Sequence, residues 1–204
     1  MIEWLYSIDR LVFYFCNQTL ANPLFDAAMP FLTDLNKTWY GLGLFGLLWL
    51  LLMWKGGKKG RILGLLLVPL IFMSDQLSSV VIKNIFVRPR PCHELNGMPV
   101  LEHIRLLVDC GSGYSFPSSH AANNFAVSTL FSYYYRRWTW AFISFAAIIG
   151  FSRISVGVHY PSDVAGGALV GASCAAIIIL LWKSISKEFT YLQISSSRIS
   201  TIDD

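Results

Sequence analysis

Apolar positions in this chain gather into long runs, and short polar islands divide them. Residues 38–54 form the first clear run, with Trp39 and Trp54 near its ends, where amphipathic rings suit a membrane–water interface. Residues 62–82 form a second, 118–135 a third, 138–151 a fourth that continues toward Val156, and 161–182 a fifth. These lengths approach the ~20 residues that a helix needs to cross a hydrocarbon core. Residues 1–36 read differently. Trp4, Tyr6, Phe13, Tyr14 and Phe15 are mixed with Asp9, Arg10, Asn17 and Gln18, and Asn22-Pro23 follows. That pattern predicts one or two amphipathic helices lying in the interface, with a sixth span as the alternative. The tail from 188 is rich in Ser and Thr and is expected to be disordered and cytoplasmic. The predicted architecture is an all-α integral membrane protein. It has N-terminal interfacial helices over 1–36, a bundle of five or six transmembrane helices over 37–187, and a tail over 188–204.

Composition strengthens the membrane reading. Of the 204 residues, 54% are hydrophobic and only 14% charged, against about 25% charged in soluble domains. Mean hydropathy is +0.52. The net charge of +4 is small, and its basic residues sit beside apolar runs, so it points to topology and not to nucleic acid. Residues 1–20 lack a basic stretch ahead of a clean apolar core, so no cleavable signal is expected. Four cysteines, Cys16, Cys92, Cys110 and Cys174, form no CxxC pair, which argues against a zinc site; no metal or cofactor is expected.

Charge sets the orientation. Lys55, Lys58, Lys59 and Arg61 lie between the first two runs, Arg136-Arg137 follow the third, and Lys183 and Lys187 follow the last. The positive-inside rule puts all of them in the cytoplasm. Three polar segments then share the outer face: 83–91, 114–120 and 152–163. The loop over 83–117 is too long for a mere connector. It carries Cys92 and Cys110, which an oxidising exterior would allow to pair as a disulfide, with their geometry left open. His93, Glu94, Glu102, His103 and Arg105 in this loop are read as head-group contacts or as solvated charges. Asp75, inside the second run, is either a functional carboxylate or a helix-packing group.

Each outer segment holds side chains with phosphate chemistry. In 152–163, His159 and Asp163 would lie on one face of a helix, about 6 Å apart at Cβ. A carboxylate beside an imidazole fixes its tautomer and makes the other nitrogen a better nucleophile or base. Arg153 offers a planar fork of donors to phosphate oxygens. Lys83, Arg88 and Arg90 place three cations at a helix mouth, among prolines that stiffen the chain. Ser118 and Ser119 open the third run, with His120 in its first turn, and a helix N-terminus attracts anions. Each segment also has a plainer reading: an interfacial turn, a snorkelling cluster and an ordinary serine N-cap.

Taken together the segments read K-x6-R-P at Lys83, Arg90 and Pro91, P-S-x-H at Pro117, Ser118 and His120, and S-R-x5-H-x3-D at Ser152, Arg153, His159 and Asp163. In order and spacing the chain resembles the type 2 phosphatidic acid phosphatase (PAP2) superfamily over roughly residues 38–182. One departure is Ser119, where members of that family commonly have glycine. The resemblance implies that His159 is a nucleophile forming a phosphohistidine, oriented by Asp163. It makes His120 the general acid, then the base for water. It gives phosphate binding to Lys83, Arg90, Arg153, Ser118 and the backbone near Ser119, without a metal. It implies a small bacterial lipid phosphatase of the inner membrane, with its site on the periplasmic face and a bilayer lipid phosphate as partner. An undecaprenyl or other isoprenoid diphosphate is the favoured substrate. Phosphatidylglycerophosphate, phosphatidate and lipid A phosphates are alternatives, as are transfer to a lipid acceptor and a non-catalytic lipid-binding or transport protein. Oligomeric state is not legible.

Overall fold

The computed structural model describes residues 2–200, and its regular structure is helical apart from one short hairpin. Helix α1 spans Ile2–Tyr14 and ends in a π-helical turn, Phe15–Thr19. Asn22 then starts α2, Pro23–Asp34: its side chain accepts from the Phe25 N–H at 3.0 Å, and Pro23 supplies a first helical residue with φ already set. A 3₁₀ turn, Leu35–Lys37, leads to Thr38, which caps α3, Trp39–Lys55, through the Gly41 N–H at 3.1 Å.

The basic stretch after α3 is less of a turn than its sequence suggests. Only Gly56 and Gly57 make the turn, with Gly57 at φ 60, and α4, Gly57–Asp75, already contains Lys58, Lys59 and Arg61. Lysine and arginine are good helix formers, so glycine alone carries the reversal. Helix α4 runs on through a π-helical segment, Gln76–Ile82, into α5, Lys83–Phe86. Helices α6 (Ser119–Tyr134), α7 (Thr139–Ser155) and α8 (Pro161–Ser200) complete the body. The expectation of a disordered tail from 188 concerns residues whose side chains lie outside the described set.

Among the described residues three helices are long and apolar enough to cross a membrane: Gly57–Phe86, Arg136–Ser155 and Pro161–Lys187; Trp39–Lys55 is a shorter apolar helix. Val68, Phe72, Leu169 and Leu180 point outward and are more than half exposed. Such an apolar exterior suits lipid and not water. The chain is a mostly helical integral membrane protein.

Helix α6 lies at the centre, packed on α4, α7 and α8. Its Ala121, Ala122 and Ala126 are fully buried against the glycines of α8. A Cβ on Gly167 would meet the Ser118 carbonyl oxygen at 2.4 Å, so only glycine lets the two backbones approach this closely. That contact brings the N-terminal ends of α6 and α8 side by side, and the Ser118 N–H donates to the Asp163 carbonyl at 3.0 Å.

The first 36 residues are built into the same body. Phe13 and Cys16 pack with Leu101, Ile154 and Tyr160. Asn17 is fully buried; its amide donates to the carbonyls of Arg105 and Ser155, both at 2.8 Å, and accepts from the Arg105 N–H at 2.8 Å. The loop between α5 and α6 is stiffened by a hairpin, β1 (Glu94–Leu95) with β2 (Met98–Pro99), and by a disulfide between Cys92 and Cys110, whose Cα atoms are 6.1 Å apart. Cys16 and Cys174 are buried free thiols.

Candidate active site

The three polar segments meet around one cavity of about 340 Å³. Lys83 of α5, Arg90 of the loop between α5 and α6, Ser119 and His120 of α6, Arg153 of α7, and His159 all line it. Asp163 and Ser118 stand behind the wall and are fully buried. The Ser118 hydroxyl caps α6, accepting from the Ala121 N–H at 3.4 Å, and is not among the groups on the cavity wall.

His159 is not helical. It sits in the turn between α7 and α8, while Asp163 lies in the first turn of α8. Gly157, at φ 89, makes that turn; a Cβ there would meet the Arg105 carbonyl oxygen at 2.6 Å. The His159 N–H donates to the Arg153 carbonyl at 3.2 Å, which ties the two residues together. Asp163 Oδ2 lies 3.5 Å from His159 Nδ1. The same oxygen accepts from the Tyr160 N–H at 2.8 Å and from the Ser115 hydroxyl. Burial pushes the His159 imidazole down to about 4, against the pull of Asp163 and with further push from Arg153 and Arg90. The ring is therefore neutral near pH 7. With Nδ1 turned to a carboxylate, Nε2 is the nitrogen left to meet a group in the cavity.

His120 and Arg153 also hold unspent donors or acceptors. His120 Nε2 and Arg153 Nε are buried with no hydrogen-bond partner. Unpaired buried polar atoms are uncommon and mark places where a ligand can bind. Arg153 is aimed by α2: its Nη1 donates to Thr33 Oγ1 at 2.7 Å, and Asp34 lies 3.9 Å away. Arg90 is fixed by carbonyls, donating from Nε to Gly113 at 2.7 Å and from Nη1 to Cys110. Ser119, at the position where the family commonly has glycine, lies with its Oγ 2.8 Å from Ser79 Oγ.

Several further neighbours are legible in the sequence only in part or not at all. Asp75 faces the cavity and accepts from Asn123 Nδ2 at 3.2 Å and from Ser79 Oγ at 3.3 Å. Its place inside an apolar run was the available signal. Lys37 and Asn36, from the turn after α2, also line the cavity, and nothing in their sequence context marks them. Arg88 and Ser115 both bind Asp163; Arg88 was visible only as a third cation beside Lys83 and Arg90. In the loop between α5 and α6, His93 holds the Gly111 carbonyl at 2.9 Å and Arg105 pairs with Asp26, so both brace the loop; Glu94, Glu102 and His103 are exposed.

Comparison with known proteins agrees with this arrangement. The PAP2 superfamily model matches residues 62–187, which contain all three motifs. A lipid A 4′-phosphatase of Bacteroides thetaiotaomicron is 30% identical over 84% of this chain and 75% of its own length. An undecaprenyl-diphosphatase of Bacillus subtilis, BcrC, is 28% identical over 73% of this chain and 70% of its own. The crystal structure of Aquifex aeolicus LpxE superposes with a TM-score of 0.67 at 29% identity, covering 84% of this chain and 94% of that one. With its motifs inside the matched segment and gathered around one cavity, the chain belongs to the PAP2 superfamily and is a phosphatase of that family.

Proposed function

We propose that the chain hydrolyses the terminal phosphate of a membrane lipid phosphate or diphosphate at the outer membrane face, through a phosphohistidine. The observation that carries this reading is the cavity in which His120 and His159 stand together with Lys83, Arg90 and Arg153. His159 Nε2 attacks phosphorus, a P–N bond forms, and the P–O bond to the leaving group breaks. His120, as its imidazolium, protonates the departing oxygen. It then takes a proton from water, which attacks the phosphohistidine and releases phosphate. The three cations hold the non-bridging oxygens, the work that preorganised donors do in such sites. Asp163 accepts from His159 Nδ1–H and offsets the positive charge that develops on the ring.

Helices α3, α4 with its extension, α6, α7 and α8 make five spans in this reading, with α1 and α2 at the outer interface. The active site opens on the periplasmic side of a bacterial inner membrane, where the lipid chains can stay in the bilayer. An impermeant amine reagent on spheroplasts should then label Lys37 and spare Lys55, Lys58 and Lys59; ready labelling of those three would reverse the topology.

An isoprenoid diphosphate such as undecaprenyl diphosphate is the favoured substrate. Lys37 supports it: paired with Asp34 at 2.7 Å, it is a fourth cation on the cavity wall, placed where the extra charge of a diphosphate can meet it. A phosphorylated saccharide lipid is the second reading. Asp75 and Asn123 support that one, as acceptors on the cavity wall for hydroxyl or amide donors of a head group. The test is phosphate release by the purified chain in detergent with EDTA. The panel is undecaprenyl diphosphate, phosphatidylglycerophosphate, phosphatidate and lipid A, with His159→Ala in parallel. Release by the wild type and none by the variant is expected, and the ranking names the substrate. A labelled phosphoenzyme without free phosphate would instead indicate transfer to another acceptor. No release and no phosphoenzyme would favour a non-catalytic lipid-binding protein.

A further inference from the structure

Behind the cavity, two carboxylates share one arginine. Arg88 Nη1 donates to Asp163 Oδ1 at 2.8 Å and to Ser162 Oγ at 2.6 Å, and its Nη2 donates to Asp9 Oδ2 at 2.6 Å. Asp9 also accepts from the Ser162 N–H at 2.9 Å and the Ser162 hydroxyl at 2.5 Å. The guanidinium lies 4.0 Å from the centre of the Tyr160 ring. Side-chain exposure is 14% for Arg88, 9% for Asp9 and 0% for Asp163. Neither Arg88 nor Asp9 lines the cavity. Asp9 belongs to α1, outside the segment that the family model matches.

The charges of this cluster bear on His159. Asp163 helps phosphoryl transfer by facing the imidazole with negative charge. An arginine bonded directly to Asp163 cancels most of that charge, because the pair is buried and close. Asp9 changes the balance: two carboxylates and one guanidinium carry a net charge of about −1, as Asp163 alone would. The same bonds fix direction. Arg88 holds Oδ1, Tyr160 and Ser115 hold Oδ2, and Oδ2 is thereby kept toward His159 Nδ1. Arg88 is thus secured by Asp163 and Asp9, and together they outweigh the burial that opposes its charge.

We propose that Arg88 and Asp9 are positioning residues for phosphoryl transfer: Arg88 fixes the Asp163 carboxylate, and Asp9 restores the negative charge that Arg88 would otherwise cancel. The N-terminal helix thereby contributes a residue to the support of the nucleophile. This rests on His159 as nucleophile, as argued above.

The test uses the full chain in detergent with whichever lipid of the panel is hydrolysed fastest. Asp9→Asn is compared with Asp9→Glu, with the double variant Asp9→Asn/Arg88→Gln and with His159→Ala. Asp9→Asn leaves the cluster neutral; kcat and the single-turnover rate of phosphoenzyme formation should fall about tenfold, with KM within about twofold. Asp9→Glu should recover most of kcat. The double variant removes one charge of each sign and should exceed Asp9→Asn alone by about threefold, which a simple brace between α1 and α8 would not produce. If Asp9→Asn does not fold, Asp9→Glu and the double variant still decide, since loss of kcat in both to the His159→Ala level overturns the proposal. It is also overturned if Asp9→Asn keeps kcat within twofold of wild type, or if the double variant is no better than Asp9→Asn. An active His159→Ala would overturn the nucleophile reading and this proposal with it, whereas an inactive His159→Ala beside an unaffected Asp9→Asn overturns this proposal alone.

Discussion

Gly171 of α8 lies against Ala122 of α6 so closely that a Cβ at 171 would stand 2.0 Å from the Ala122 carbonyl oxygen. The obstacle is backbone, so no side chain can move aside. Gly171→Ala forces the two helices apart, at a cost of about 1–3 kcal/mol for overpacking. The two helices carry His120 and Asp163, so the separation reaches the site. A lower thermal midpoint in detergent together with reduced phosphate release is expected. The control is Gly43→Ala, where a Cβ would meet nothing within 4 Å and the midpoint should hold.

How far the sequence reveals this depends on the kind of signal. Membrane helices are legible because hydrocarbon leaves the backbone few alternatives, and the glycines at 166, 167 and 171 reveal a close-packing face. The motif residues Lys83, Arg90, Ser119, His120, Arg153 and His159 are legible through fixed local spacing, and they do share one cavity. Asp9, Thr33 and Lys37 are not. Their contacts with Arg88, Arg153 and the cavity depend on how α1 and α2 fold back over the C-terminal end of α7 and the N-terminal end of α8. Nothing local in 1–36 encodes that return. Ser118 carries both of its readings: its place in a motif suggests phosphate, and its hydroxyl also caps a helix.

Thr33 tests the return of α2 directly. It is 1% exposed and accepts from Arg153 Nη1 at 2.7 Å. Thr33→Val keeps the shape and removes the acceptor, leaving Arg153 Nη1 with only Asp34, 3.9 Å away, on this side; a hydrogen bond to a charged group contributes about 1.5–3 kcal/mol. Without this bond Arg153 is held less firmly in position for phosphate. KM should rise several-fold with a smaller change in kcat. An unchanged KM, measured by phosphate release, would mean that Arg153 is held in place without Thr33.

The Cys92–Cys110 bond closes a loop whose ends are 18 residues apart in sequence. Closing a loop of this size contributes about 3 kcal/mol in the chain-entropy account. Arg90 donates to the carbonyls of Cys110 and Gly113, so the closed loop also holds a cavity cation in place. Mass spectrometry after alkylation without reductant should find Cys16 and Cys174 modified on unfolding and Cys92 and Cys110 protected. Cys92→Ser with Cys110→Ser should lower the thermal midpoint and raise KM. Alkylation of all four cysteines would show that the bond does not form in the purified protein.

His159 makes a prediction about pH. Four groups face it: Asp163 from α8, Arg153 from α7, Arg90 from the loop between α5 and α6 and His120 from α6. Burial dominates, and the imidazole is pushed down to about 4 from an ordinary value of 6.5. The folded chain therefore binds this proton more weakly than the unfolded chain does. Its neutral form contributes stability that is fully present above about pH 6.5 and is lost as pH falls toward 4. An NMR titration of isotope-labelled histidine in detergent should give one imidazole with a midpoint near 4, absent in His159→Gln. Asp163→Asn should move that midpoint lower still, because Asp163 is the group that favours the imidazolium. A His159 midpoint near 6.5 would mean that Asp163 offsets burial in full, and the ring would then be partly charged at neutral pH and a poorer nucleophile.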